Sequence, residues 1–532
     1  MSVSLFCCAF LATVAQETAQ RAQPVREPRP FLYYDYVEDG ELRGGRVAVD
    51  PTNPLHVDLG TEQRILLDPV TTLVNNGPTS NRIDIVFVGD GYTSDELDTY
   101  AEDVDEVWPT FLAETPLSTY ATYFNIHRVD VTSPQSGVDN DPTQGILRTT
   151  ALDMAYWCGG TQRLLCVNVG KANNHADNAP DVDCVLALAN SGTYGGAGYN
   201  DLGTLAGHNG AAIEIALHEF GHSFADLADE YDYGGPTTYT GPEPSTANVS
   251  IHDEAGIVAL STKWFRWLDV ASVGAFQGAM YSQLGIYRPT NNSKMRSLDR
   301  PFQQVNSEQF VRHVYQFVHP IDDATPPGRY GLQARFFVDP MDPIGHALDV
   351  QWSLDGNPIS GATGTIFDAA TLGLTVAGGE HTLSVEVVDN TTLVRDPAIR
   401  AQRMTDSRSW TLTGERNIAP HADPGRSAVA APLVLAGSPR PGGTLVIEVP
   451  DTAELEPRMA VLVVSAARRG TAADRTIMAA PLVREEGQPL RFEIAVPDDP
   501  ALAERAFVAR ALLIQRDGRR SWSAPLQFAL ER

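Results

Sequence analysis

Between residues 28 and 78 apolar and polar positions alternate in short stretches, FLYYDYV, GRVAV, HVDL and QRILL, with turn residues between them. A period of two belongs to a half-buried strand, so this stretch predicts a small N-terminal β-rich domain. The pattern changes near residue 81. IDIVFVGDGY (83–92) is an unbroken apolar run that ends in Gly-Asp-Gly. Thr93 and Glu96 have capping-box spacing, and Leu97, Tyr100, Ala101, Val104 and Trp108 follow at helical intervals. YFNIHRVDV (123–131), RLLCVNVG (163–170) and CVLALANS (184–191) are further candidate strands. Unbroken apolar strands alternating with helical stretches predict an α/β core whose sheet is covered on both faces, spanning 79–320. Within it, NGAAIEIALHEFGHSFADLADEY (209–231) reads as one long helix, with Ile213, Leu217, Phe220, Phe224 and Leu227 on a common face.

Past residue 320 the helical period fades. YGLQARFFV, LDVQWSLDG, HTLSVEVVD and SWTLTG alternate apolar and polar residues, as an antiparallel sandwich over 321–415 would. Pro420 and Pro424 lie in a loop-like stretch. TLVIEV, MAVLVVSAA, LRFEIAV and ARALLIQRD then predict a second sandwich over 420–532.

Composition narrows the function. Lys and Arg number 39 against 67 Asp and Glu, a formal charge of −28. Such a surface repels nucleic-acid phosphates and anionic membranes. The run SLFCCAFLATVA (4–15), followed by polar QETAQRAQ, has the form of a secretory leader cut after Ala15. It is too short to span a bilayer, and no other segment is long and apolar enough for a membrane span. Residues 1–15 are therefore expected to be a signal peptide, and the protein to be secreted, either periplasmic or extracellular. Of the five cysteines, Cys7 and Cys8 leave with that leader. Cys158 and Cys166 flank a short loop and could bridge in an oxidising compartment; three buried thiols, with Cys184, are the other reading.

The chemistry concentrates in His218-Glu219-Phe220-Gly221-His222. Positions i and i+4 share a helix face, so both imidazoles can reach one ion. Zinc accepts neutral imidazole nitrogen, and a catalytic site needs a third protein ligand and an open position. Glu219, beside the two histidines in sequence, is placed to move a proton to and from water. If the helix turns at Asp226, a residue tolerant of the left-handed region, Asp229 comes round as third ligand, with its neighbour Glu230 the competing choice. Downstream, YRPTNNSKMRS (287–297) is polar and loop-like with one methionine, Met295, a soft floor for a zinc site. His208 reads as a surface residue rather than an oxyanion donor, and Asp139-Asn140-Asp141 as a polar loop rather than a calcium site.

At these residues the chain resembles the IgA-peptidase-type zinc metallopeptidases, peptidase family sixty-four. HEFGHSFADLADEY (218–231) is similar to that family's zinc signature and YRPTNNSKMRS to its methionine turn. NRIDIVFVGDGYT, YFNIHRVDV, CGGTQRLLCV and SGTYGGAG are similar to its core, so the resemblance covers about residues 30–320. It implies an α+β, metzincin-like zincin catalytic domain, with a small N-terminal β domain and C-terminal β modules. It also implies Zn2+ as cofactor, His218, His222 and Asp229 as metal ligands, Glu219 as general base and Met295 as turn methionine. The substrate would be a protein or peptide; immunoglobulin cleavage belongs to some members, and fold does not carry substrate choice. The alternative is a non-catalytic surface or adhesion protein that keeps a peptidase-like domain between binding modules.

Overall fold

The computed structural model describes residues 31–38, 41–59, 68–199, 201–210, 212–232, 237–332, 334–374 and 379–413. It also describes the strand segments of 434–529 that are named below. The leader reading of residues 1–15 lies outside them. The described residues fall into two compact units, one within Met1–Ser118 and Phe124–Val318, the other within Thr119–Tyr123 and His319–Arg532.

The first unit is built on an eight-stranded sheet. Its strands in chain order are β1 (Phe31–Glu38), β2 (Glu41–Ala48), β3 (Val70–Val74), β4 (Ile83–Asp90), β5 (Phe124–Val129), β6 (Cys184–Ala189), β7 (Gly196–Gly198) and β8 (Leu202–Ala206). Their order in space is β2-β1-β7-β8-β6-β4-β5-β3. β5, β4, β6 and β8 run parallel, and every residue of β4 and β6 is buried, which is why these strands read as unbroken apolar runs. Val86 and Val88 face one layer together with α2 (Val169–Ala176). The alternate residues face the other side, where a Cβ on Gly89 would meet Tyr100 of α1 (Leu97–Ala113) at 2.9 Å.

Three sequence expectations change here. The stretch 28–78 was expected to form a β domain of its own, but β1 and β2 continue the sheet beyond β7, and β3 closes its other end against β5. Residues 163–170 make isolated bridges, Ala155 to Cys166 and Leu164 to Gly196, instead of a strand. There the chain is tied by the Cys158–Cys166 disulfide, and Asn168 ends the run by capping α2 through Lys171 N. The long helix expected over 209–231 is α3 (Ala212–Ser223), which stops eight residues early. Phe220 and Phe224 lie roughly 200° round α3 from His218 and His222. They meet Phe111 of α1 and Phe310 and Phe317 of a later helix, with ring centroids 5.0–6.1 Å apart. This aromatic layer anchors one face of α3 and turns the histidines to the other. α4 (Glu254–Leu260), the hairpin of β9 (Val273–Ala279) and β10 (Ser282–Thr290), and the later helix α5 (Gln303–Phe317) complete the unit.

In the second unit, β11 (Ile321–Ala324), β13 (Arg335–Pro340) and β16 (Ile366–Asp368) make a three-stranded sheet. β12 (Arg329–Gly331), β14 (Asp349–Leu354), β15 (Asn357–Pro358), β17 (His381–Val388) and β18 (Thr405–Thr413) make a five-stranded one, with α6 (Pro397–Arg403) leading into β18. Trp352 of β14 stacks on Phe367 of β16 and on Trp410 of β18, so side chains of both sheets share one core. Further along, β19 (Val434–Leu435), β20 (Thr444–Val449) and β23 (Leu490–Ala495) form one sheet. β21 (Pro457–Ala467), β22 (Thr476–Val483), β24 (Ala506–Gln515), β25 (Arg520–Trp522) and β26 (Leu526–Ala529) form another. The alternating pattern past residue 320 thus corresponds to sheets that are antiparallel apart from the parallel pair of β12 and β18. Among the described residues no helix is long and apolar enough to cross a membrane.

Candidate metal centre

α3 ends because the chain reverses. Phe224 N donates to Phe220 O and Leu227 N to Gly221 O, and Asp226 takes the left-handed conformation, φ 53°. The reversal puts Leu227 O 2.7 Å from Nδ1 of His222 and returns Asp229 to the histidine face. Asp229 Oδ1 stands 3.2 Å from Nε2 of His218 and 3.0 Å from Nε2 of His222, and these two nitrogens are 3.1 Å apart. All three residues are buried.

The donor chemistry fits a divalent ion. His222 Nδ1 donates to Leu227 O and His218 Nδ1 donates to Lys294 O at 2.9 Å. With the proton on Nδ1, each Nε2 is a bare lone pair, the tautomer a metal needs. Two lone pairs and a carboxylate oxygen then converge out of water, an arrangement that a cation stabilises and that is repulsive without one. Bonds of about 2.0–2.1 Å in a tetrahedron separate ligand atoms by roughly 3.3 Å, close to the spacing found.

Glu230 is turned away from this cluster. It accepts from Ser293 Oγ at 2.7 Å, Asn306 Nδ2 at 2.9 Å and Asn248 Nδ2 at 3.1 Å, inside a buried polar network, and burial pushes its carboxyl up. Of the two adjacent acids, only Asp229 reaches the histidines. Glu219 is buried on α3, and a Cβ on Gly198 of β7 would collide with its carboxylate. Met295 lies under the helix: a Cβ on Gly221 would stand 2.5 Å from its sulfur. The backbone O of Met295 accepts from Glu230 N at 2.8 Å, so the 293–297 turn is fastened to the segment that carries Asp229.

Other sequence candidates lie elsewhere. His208 pairs with Asp103 of α1 at 2.9 Å and lines a cavity of about 230 Å³ with Glu106 and Ile213. Asn140 donates to Tyr156 O and Asp141 accepts from Ser191, while Asp139 accepts from Arg148 N, so these side chains tie the loop to its neighbours. Cys158 and Cys166 are bridged and Cys184 is a buried thiol. His56 lies 3.6 Å from Cys158 Sγ, but both sulfurs are in the disulfide and its Nδ1 accepts from Asp50 N, so this group is not set up to ligate.

Sequence reasoning missed two tyrosines. Tyr33 of β1 stacks on His222, centroids 4.9 Å apart. Tyr281, in the β9–β10 turn, donates to Asp229 Oδ2 at 2.6 Å. A tyrosine in a strand or a turn carries no ligand spacing, so only tertiary structure could place either.

The family model described as IgA Peptidase M64 matches residues 71–272. That segment belongs to the IgA peptidase M64 family. It holds His218, Glu219, His222 and Asp229, whereas Tyr281 and Met295 follow it. The match supports a peptidase function, which implies a protein or peptide substrate. No curated protein matches the chain. Two of the solved structures that align with it are of chicken proteins. One is that of chicken CNTN1 FN1-FN3 domains, at 6% identity and TM-score 0.15, covering 40% of this chain and 64% of that one. The other is the selenomethionine-substituted chicken interferon gamma receptor alpha chain, at 8% identity and TM-score 0.15, covering 40% and 98%. Scores this low carry no inference.

Proposed function

We propose that this M64 peptidase is a secreted zinc metalloendopeptidase of metzincin-like zincin fold, hydrolysing internal peptide bonds. The observation that carries the reading is the convergence of His218 Nε2, His222 Nε2 and Asp229 Oδ1 within 3.0–3.2 Å, with both Nδ1 atoms committed to backbone carbonyls. These three residues would hold the zinc, which when bound supplies Lewis acidity toward water and a carbonyl oxygen.

The chain's own residues do the rest. Glu219 is the general base: its carboxylate takes a proton from the attacking water and returns it to the leaving amine nitrogen. Glu219 lies in the same helical turn as both histidines, and Gly198 leaves room for its carboxylate. Lys294 O and Leu227 O hold the ring orientations, and Met295 fixes the floor. A protein that only bound zinc would have no use for Glu219 there. The Cys158–Cys166 disulfide and the leader-like 4–15 segment support an oxidising compartment outside the cytosol.

Glu219→Gln tests the mechanism. The variant should keep its zinc and lose activity on a mixed peptide library by about 10²–10⁴-fold, the usual worth of a positioned acid–base group. Activity unchanged in a zinc-loaded Gln variant would remove Glu219 from the chemistry.

A further inference from the structure

The carboxylate of Asp229 is divided between two neighbours. Oδ1 faces the histidine nitrogens, while Oδ2 accepts from the Tyr281 phenol at 2.6 Å, the length of a charge-assisted O–H···O⁻ bond. A carboxylate can also chelate a metal through both oxygens, which fills a position that hydrolysis needs open.

We propose that Tyr281 is a positioning residue for the metal centre, holding Oδ2 so that Asp229 offers the ion a single oxygen. The proposal rests on the zinc reading above. The local backbone supports it. Met280 and Tyr281 form a two-residue hairpin turn with both φ values positive, 46° and 62°. Such turns normally carry Asn-Gly, because side chains fit poorly in the left-handed region. Bulky residues there point to a local demand that overrides turn preference. The turn is also fastened to the ligand segment: Met280 N donates to Asp229 O at 3.0 Å and Tyr281 N to Tyr231 O at 3.2 Å. The Tyr281 ring lies 5.3 Å from that of Tyr231, which in turn stacks on His218. Backbone and ring thus aim one hydroxyl at one oxygen.

The test compares wild type with Tyr281→Phe, which keeps the ring and both backbone bonds. Zinc affinity is measured by chelator competition, and the visible spectrum is recorded with cobalt(II) in place of zinc, below the melting midpoint of each protein. In wild type the cobalt bands should have the intensity of a four-coordinate ion. In the variant they should weaken as Oδ2 joins the ion, zinc affinity should fall about 10–100-fold, and kcat should drop with KM little changed. A role confined to bracing the hairpin would shift the melting midpoint and leave the cobalt spectrum as it was. That result, or unchanged zinc affinity, overturns the proposal. Wild type that takes up neither zinc nor cobalt would instead overturn the zinc reading itself.

Discussion

Gly221 lies between the two histidines because the sulfur of Met295 fills the space a side chain would need. A Cβ there would stand 2.5 Å from Sδ, and Met295 is fully buried. Two effects compete in Gly221→Ala. Helix propensity favours alanine by about 0.5–1 kcal/mol. Overpacking a filled core costs about 1–3 kcal/mol. Overpacking should win, so urea denaturation should show a net loss of roughly 0.5–2 kcal/mol; a variant more stable than wild type would mean that Met295 yields freely. At this scale much was legible. Two histidines four apart state their shared face without a structure, and Asp226 announced the turn. The choice between Asp229 and Glu230 was not legible, because adjacent acids have equal reach. It takes Ser293, Asn306 and Asn248, all distant in sequence, to engage Glu230 on the other side.

Among the elements, sequence patterns placed the parallel strands β4, β5 and β6 but missed the fourth, β8, and placed the ends of elements poorly. β4 and β6 are apolar throughout because both faces are covered. The apolar spacing of α3 continues past Ser223 because Phe224 and Leu227 stay buried after the helix has stopped, so periodicity alone overran its end. The Thr93–Glu96 spacing did mark the approach to α1: Glu96 accepts from Thr93 N at 2.9 Å and from its hydroxyl. Ser136 and Asn190 add further bonds, joining this turn to two distant loops. Partial burial works to raise the Glu96 carboxyl, but these bonds outweigh it and hold it down to about 2, from 4.5. A depressed carboxylate contributes stability that is fully present above its unfolded pKa and is lost as pH falls through the folded one. Urea midpoints should therefore fall between pH 4.5 and 2 more steeply in wild type than in Glu96→Gln. Equal slopes would show that the bonds contribute nothing to folding.

Over the whole molecule, the hydrophobic period changes near residue 320, and the described residues divide between their two units at Val318 and His319. The role of the N-terminal stretch could not. Its strands alternate as any independent hairpin would, and it is the pairing of β1 with β7 at Tyr33 and Gly198, and of β3 with β5, that makes it part of the eight-stranded sheet. The same pairing delivers Tyr33 to His222. Nor does alternation reveal that residues 119–123, between α1 and β5, belong with the second unit, where Tyr120 donates to Asp389 at 2.7 Å. A net charge of −28 adds a practical point: acidic surfaces gather divalent cations loosely, so metal content must be read as tight binding after exhaustive dialysis. The direct measurement is zinc content of the full chain, of Asp229→Ala and of Glu230→Ala. About one tightly held zinc per chain is expected, lost in Asp229→Ala and kept in Glu230→Ala. A wild-type chain without tight zinc, or loss of metal from Glu230→Ala alone, would contradict the centre described here.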